Sequence, residues 1–231
     1  MRWLKLLLAW LAHLIAPRPA CVSRPPAHDL PAPVAAPDLS RYEDAIRAYE
    51  EKDQLHPPAP GGTVFAGSST FTLWSGLEET FADFQALNRG FGGSTIPEVE
   101  HYAPRVVLKY RPRRIVFYAG TNDIAEGASG YEVYARFLQF LAGVRAAAPD
   151  CRVYFISASI APSRLHLQAQ YDEANRLIRT DAECSGEFTY IDVRPVMHDG
   201  AGNLRLDYFR EDDLHMNAQG YAAWTPVIRE A

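Results

Sequence analysis

Five short apolar runs alternate along this chain with helix-length segments, and that alternation restricts the fold more than any other feature. Thr63–Ala66, Phe84–Asn88, Arg114–Ala119, Cys151–Ser157 and Phe188–Val193 are rich in β-branched and aromatic residues, with Gly, Pro, Asp or Asn near their ends. Runs of that kind read as strands. The segments between them carry helical patterns: Phe71, Trp74, Leu77 and Phe81 fall on one face, Tyr131–Ala148 forms a long helix, and Gln168–Asp181 another. Glu98–Tyr110 reads as a helix broken or kinked near Pro104, and a last helix starts at about Ala218. Strand and helix in alternation predict a parallel sheet. The third run is apolar almost throughout, as expected where both sheet faces are covered.

The expected architecture is α/β, a flavodoxin-like three-layer sandwich whose five-stranded parallel sheet has the order 2-1-3-4-5, with helices on both faces. A chain of 231 residues, 48% hydrophobic and 22% charged, has the apolar mass for one such domain. Its formal charge of −5 and the absence of Lys or Arg runs give no footprint for nucleic acid.

The N-terminus follows different rules. Arg2 and Lys5 precede a short apolar stretch, Leu6 to Ala16 with His13 inside it, which Pro17 and Pro19 end. A basic start and an apolar core of this length resemble a signal peptide or a membrane-anchoring leader, and the stretch is short for a membrane span. Ala20–Pro37 is rich in Pro and Ala and reads as an extended linker. Residues 1–37 are thus expected to be leader plus linker, and residues 38–231 the folded domain, in an exported protein with membrane association through the leader. Tyr42, Ile46 and Tyr49 mark one face of the domain's first helix, which runs from Asp38 to about Leu55. Cys21 stands where a lipidated cysteine would, although Arg18-Pro19-Ala20 is a poor context for lipidation. If Cys21 belongs to the leader, Cys151 and Cys184 remain, either as a disulfide or as two buried thiols.

In open parallel sheets, binding and catalytic groups gather where loops converge at the carboxyl ends of the strands. The first run ends in Gly67-Ser68-Ser69, the second in Arg89-Gly90-Phe91-Gly92-Gly93-Ser94, the third in Gly120-Thr121-Asn122-Asp123. Clustered glycines mark close approach of backbone to something else. Serine attacks a carbonyl only when a base takes its proton and donors receive the oxyanion. His215 is the candidate base, because Asp212 three residues earlier can hold its ring. His13, His28 and His56 lie outside the sheet, and His101, His166 and His198 lack a comparably placed acid. The N–H groups of Ser69 and Gly93 and the amide of Asn122 are the candidate oxyanion donors, although Thr121-Asn122-Asp123 is also good turn chemistry.

In this order, Gly67-Ser68-Ser69, Gly93, Gly120-Thr121-Asn122-Asp123 and Asp212-x-x-His215 resemble the four blocks of the SGNH hydrolases, also called GDSL-type esterases and lipases. Leu73-Trp74 and Leu214-His215-Met216-Asn217-Ala218-Gln219-Gly220-Tyr221 strengthen the likeness, which resembles a bacterial branch of uncharacterised members. The resemblance implies Ser69 as nucleophile, His215 as base, Asp212 as its orienting acid, and Ser69, Gly93 and Asn122 as oxyanion hole. Ser68 departs from the Asp in the family's name, at a position that is not the nucleophile. An α/β-hydrolase elbow would need Gly-x-Ser-x-Gly, and Phe71 stands at its last position.

The expected function is a serine esterase that hydrolyses acyl esters, short-chain or acetyl esters among them, through an acyl-enzyme. Its partner is a small-molecule, lipid or glycan ester, and it needs neither metal nor cofactor. The alternatives are an inactive glycan- or lipid-binding protein on the same fold, and a flavin-binding module with phosphate at Gly67–Thr70.

Overall fold

The computed structural model describes Cys21, Ser23, Arg24 and residues 39–231. The apolar leader and nearly all of the Pro/Ala-rich linker lie outside the described residues. Five strands form one parallel sheet: β1 (Thr63–Gly67), β2 (Ala86–Gly90), β3 (Arg114–Tyr118), β4 (Arg152–Ile156) and β5 (Thr189–Ile191). Their order is β2-β1-β3-β4-β5, the expected one. β1 lies between β2 and β3, with Gly67 level with Gly90 on one side and Tyr118 on the other. The ends of the first three strands therefore meet at one place.

Period-two alternation along the strands feeds two separate cores. Val64, Ala66, Ile115, Phe117, Val153 and Phe155 face α1 (Glu43–Leu55), α4 (Ile96–Val106), α6 (Gly130–Ala147) and α7 (Gln168–Ser185). Phe65, Val116, Tyr118, Tyr154, Ile156 and Ile191 face α2 (Ser69–Thr72), α3 (Leu77–Thr80) and α8 (Ala218–Glu230). A further short helix, α5 (Thr121–Ala125), follows β3. The second core is aromatic: Phe65 lies 5.4 Å from Phe71 and 5.0 Å from Phe81, and Trp74 stacks on Tyr221 at 4.8 Å. Each such side chain contributes about 1.5 to 3 kcal/mol through its burial.

Three expectations shift. Phe71, Trp74, Leu77 and Phe81 are all buried as one face, yet the chain breaks between α2 and α3, where Gly76 takes φ +74°. The second strand begins at Ala86 rather than Phe84, because Ala82–Phe84 is a 3-10 turn and Gln85 turns the chain at φ +52°. The helix around Pro104 starts at Ile96 and runs to Val106 before a 3-10 turn at Leu108–Tyr110.

The cysteines require a correction. Cys184, at the end of α7, is bonded to Cys21 with Cα atoms 5.7 Å apart, and Cys151 is the free, buried thiol. Cys151 is 3% exposed and packs into the first core, where its thiol faces the Arg152 carbonyl at 3.7 Å. Arg24 reinforces the tether through its pairs with Asp181 at 2.9 Å and Glu187 at 3.0 Å. Cys21 and Arg24, expected to lie in an extended linker, are thus attached to α7.

Candidate active site

The site begins with what Gly67 permits. A Cβ there would lie 2.1 Å from the Tyr118 carbonyl oxygen, so only glycine lets β1 end so close to β3. Ser68 then donates its N–H to that carbonyl at 3.2 Å and turns the chain into α2, with Ser69 as the first helical residue. Ser68 is 2% exposed, whereas Ser69 reaches the cleft.

The loop after β2 is tied to the same spot. Phe91 N–H and the Ser94 hydroxyl both donate to the Gly67 carbonyl, at 3.0 and 3.3 Å. Gly93 holds φ +84°, the left-handed region that favours glycine, and a Cβ there would press on the Tyr42 hydroxyl at 3.2 Å. The start of α4 fixes this loop from below. Fully buried Glu98 accepts from the N–H and hydroxyl of Thr95, both at 2.8 Å, and pairs with Arg41 at 2.7 Å. Buried Asp123 accepts from Ile96 N–H at 3.0 Å and pairs with Arg136 at 2.7 Å, which joins this loop to the one after β3.

Asn122 sits in that second loop. Its Nδ2 donates to the Ser94 carbonyl at 3.0 Å, and its Oδ1 accepts from Arg164 Nη2 at 2.9 Å. The backbone N–H groups of Ser69 and Gly93 have no acceptor among the described residues. Two free N–H groups and one amide thus border the cleft that Ser69 enters.

From the other side comes the loop before α8. His215 Nε2 lies 3.1 Å from Ser69 Oγ, and its Nδ1 lies 2.6 Å from Asp212 Oδ2. The other Asp212 oxygen accepts from the N–H groups of Leu214 and His215, at 3.0 and 2.9 Å. The bond from the imidazole, then those backbone bonds, hold the Asp212 carboxyl down to about 2, so it is an anion at neutral pH. An imidazole placed so, with its ring oriented by a carboxylate, can accept a serine proton and be stabilised as it does. Asp213 makes no such bond; it takes φ +52°, and its carbonyl accepts from Ser163 N–H at 2.9 Å.

All five residues singled out in the sequence, Ser69, Gly93, Asn122, Asp212 and His215, are thus brought together, and all but Asp212 line one cleft of about 450 Å³. Trp74 belongs to the second core and lines a neighbouring cavity that shares Leu73 with the cleft. Tyr118 and Tyr171 add to the lining, and burial pushes both phenols up, so they are neutral there. The sequence reading missed Arg164, the one Lys, Arg, Asp or Glu among the lining residues. It belongs to no motif, and its contact with Asn122 spans 42 residues of chain.

A parallel sheet of this order, with a serine at the end of its first strand joined to an imidazole and a carboxylate from the loop before α8, is an arrangement suited to hydrolytic chemistry. Residues 59–223 match the GDSL-like Lipase/Acylhydrolase family, and the chain belongs to that family. At the level of class, this places it among hydrolases acting on esters. No curated protein matches the chain. Among solved structures it is similar to a GDSL-like lipase from Bacteroides thetaiotaomicron, at 20% identity and TM-score 0.62 over 84% of this chain and 96% of that one. It is also similar to a protein described as an acylhydrolase from Bacteroides fragilis, at 22% identity and TM-score 0.68 over 84% and 94%. A catalytic mutant of an acetylxylan esterase from Geobacillus stearothermophilus matches at 11% identity and TM-score 0.60 over 74% and 94%. At these identities the likeness is one of fold.

Proposed function

We propose that the protein is a serine esterase that cleaves acyl esters, short-chain and acetyl esters included, through a Ser69–His215–Asp212 triad. The observation that carries this reading is the continuous path from Ser69 Oγ through both ring nitrogens of His215 to Asp212. Ser69 attacks the ester carbonyl while His215 Nε2 takes its proton, and the imidazolium is stabilised by the Asp212 anion. The tetrahedral oxyanion is received by the N–H groups of Ser69 and Gly93 and by Asn122 Nδ2. His215 then gives its proton to the leaving alcohol. In the second half, water loses a proton to His215 and attacks the acyl-enzyme; the bond to Ser69 Oγ breaks, the carboxylic acid leaves, and His215 returns the proton to Ser69 Oγ.

The cleft is open and mixed in polarity, with Thr70, Thr72, Ser159 and Thr121 beside Leu73, Ala161 and Leu214. That lining suits a small acyl group on a polar alcohol better than a long acyl chain. Flavin binding or passive binding of a glycan or lipid gives no role to the Asp212–His215 pair, and nothing else in the site favours either.

We also place the protein outside the cytoplasm. The leader supports this, and so does the Cys21–Cys184 disulfide, which persists in oxidising compartments. A cysteine in a disulfide cannot also carry a lipid thioether, so oxidised Cys21 excludes its lipidation.

The test of function is a panel of nitrophenyl esters of increasing chain length together with acetylated sugars. Turnover highest on acetyl and short esters, and lost in Ser69→Ala, is expected. Unchanged turnover in Ser69→Ala contradicts the reading.

A further inference from the structure

An amide side chain can present either its oxygen or its nitrogen to a substrate, and only its neighbours decide which. Asn122 faces that choice in the cleft, and Arg164 settles it. A guanidinium has donors and no acceptor, so the Asn122 atom 2.9 Å from Arg164 Nη2 must be the oxygen. The nitrogen is then turned the other way, with one N–H on the Ser94 carbonyl at 3.0 Å and the second left for the cleft. Arg164 is itself held, since its Nη1 donates to the Thr121 carbonyl at 2.9 Å. Its other neighbour is the neutral Tyr171 hydroxyl at 3.5 Å, and it forms no ion pair with a carboxylate among the described residues. With no such carboxylate pair to offset it, the guanidinium charge acts on the amide dipole, drawing electrons toward Oδ1 and making the Nδ2–H a stronger donor.

The segment that carries Arg164 has a second attachment. In the 3-10 turn Pro162–Leu167, Ser163 N–H donates to the Asp213 carbonyl at 2.9 Å, inside the loop that bears Asp212 and His215. One short turn after β4 thus touches both halves of the site, the amide donor through Arg164 and the acid–base loop through Ser163.

We propose that Arg164 is a positioning residue for the reaction, which fixes the orientation of the Asn122 amide and strengthens it as an oxyanion donor. This inference rests on the serine-esterase reading above. An oxyanion donor acts in the transition state rather than on neutral substrate, so a residue that works through one changes kcat and leaves KM alone. Removing a donor outright costs about 10² to 10³ in turnover, and loosening it should cost part of that, about 10-fold to 10²-fold.

The experiment is a double-mutant cycle on a short neutral ester, with Arg164→Met, Asn122→Ala and the double variant, each checked for folding by thermal melting. Arg164→Met is expected to lower kcat about 10-fold to 10²-fold with KM held within about threefold, and to have almost no further effect in the Asn122→Ala background. Arg164→Lys, which keeps a charge but not the planar fork, should recover part of kcat, and added guanidinium salt should recover part of it in Arg164→Met. Where Arg164→Met does not fold, Arg164→Lys and Arg164→Gln carry the same cycle. Additive losses from the two sites overturn the proposal. So does a KM increase confined to negatively charged esters with kcat intact, which would make Arg164 a substrate-binding cation. If the wild type turns over no ester, the esterase reading falls and the inference with it. If the wild type and Asn122→Ala behave as expected while Arg164→Met equals wild type, the inference alone falls.

Discussion

The two halves of the site are built by opposite means. On one side, the loops after β2 and β3 stand on buried charges, with Glu98 and Asp123 both at 0% exposure and each paired with an arginine at 2.7 Å. On the other side, Asp212 and His215 ride on a surface loop, with the Asp212 side chain 47% exposed. That loop is shaped by short backbone bonds, Arg210 N–H to the His215 carbonyl at 2.8 Å and Asp213 N–H to the Arg210 carbonyl at 3.0 Å. The contrast fits the chemistry proposed for each half. Oxyanion donors must already be in place when charge develops, and a buried polar network gives that rigidity. An acid–base pair needs only a short hydrogen bond and an oriented ring, which a tight loop supplies. Stability and activity should therefore separate by side.

The largest effect tests the exposed half. His215→Ala should lower kcat by about 10⁴ or more, with Asp212→Asn similar or somewhat milder, while the melting temperatures of both stay close to wild type. A large loss of stability in either would erase the contrast. If Asp213→Asn harmed turnover more than Asp212→Asn, the orienting acid would be the other residue.

Next comes the buried half. Asp123→Ala leaves the mostly buried Arg136 guanidinium unpaired and Ile96 N–H without its acceptor, which should cost about 3 to 5 kcal/mol of stability in urea unfolding. Asp123→Asn keeps an acceptor for Ile96 and should cost less. A loss from Asp123→Ala below about 1 kcal/mol would show that the pair does not hold the loops.

A third effect lies on the cleft side of the buried half. Asn122→Ala should lower kcat on a short activated ester by about 10² to 10³ and leave KM nearly unchanged. If the mutant lost only stability, Asn122 would be a turn residue, and the N–H groups of Ser69 and Gly93 would be the whole oxyanion site.

The smallest effect is electrostatic. Asp212 is held at about 2, chiefly by the His215 hydrogen bond. Removing that bond in His215→Ala should move its titration up toward the ordinary carboxylate value of about 3.9, followed by carboxyl-carbon NMR. The sign is fixed, because a depressed carboxylate stabilises the fold above its unfolded value and loses that contribution as pH falls through about 2 in the wild type. No upward shift would mean that the backbone bonds alone hold the anion.

Much of this was legible in the chain because the informative residues are local. Gly67, Gly93 and Gly120 are needed where strand ends crowd together, and a hydroxyl or amide beside each is a short-range signal. The spacing of Asp212 and His215 is a common one, and it becomes legible through its place in order after the three strand-end blocks. What stayed hidden depends on contacts between distant parts. Arg164 reaches Asn122 across 42 residues, and Cys21 reaches Cys184 across 163, so neither spacing nor parity identifies them. Phe84 misled for a subtler reason: it packs beside the second core as a strand residue would, yet sits in a 3-10 turn one step before the chain reverses at Gln85. The glycine at 76 likewise breaks a helix whose apolar spacing runs on undisturbed through both pieces.

The central claim is that Ser69 is the nucleophile, and covalent capture tests it most directly. The folded protein should take up a fluorophosphonate, and peptide mass mapping should put the single adduct on Ser69. Labelling should be lost in Ser69→Ala and strongly slowed in His215→Ala. An adduct on Ser68, or none on folded protein that still cleaves esters, would contradict the account.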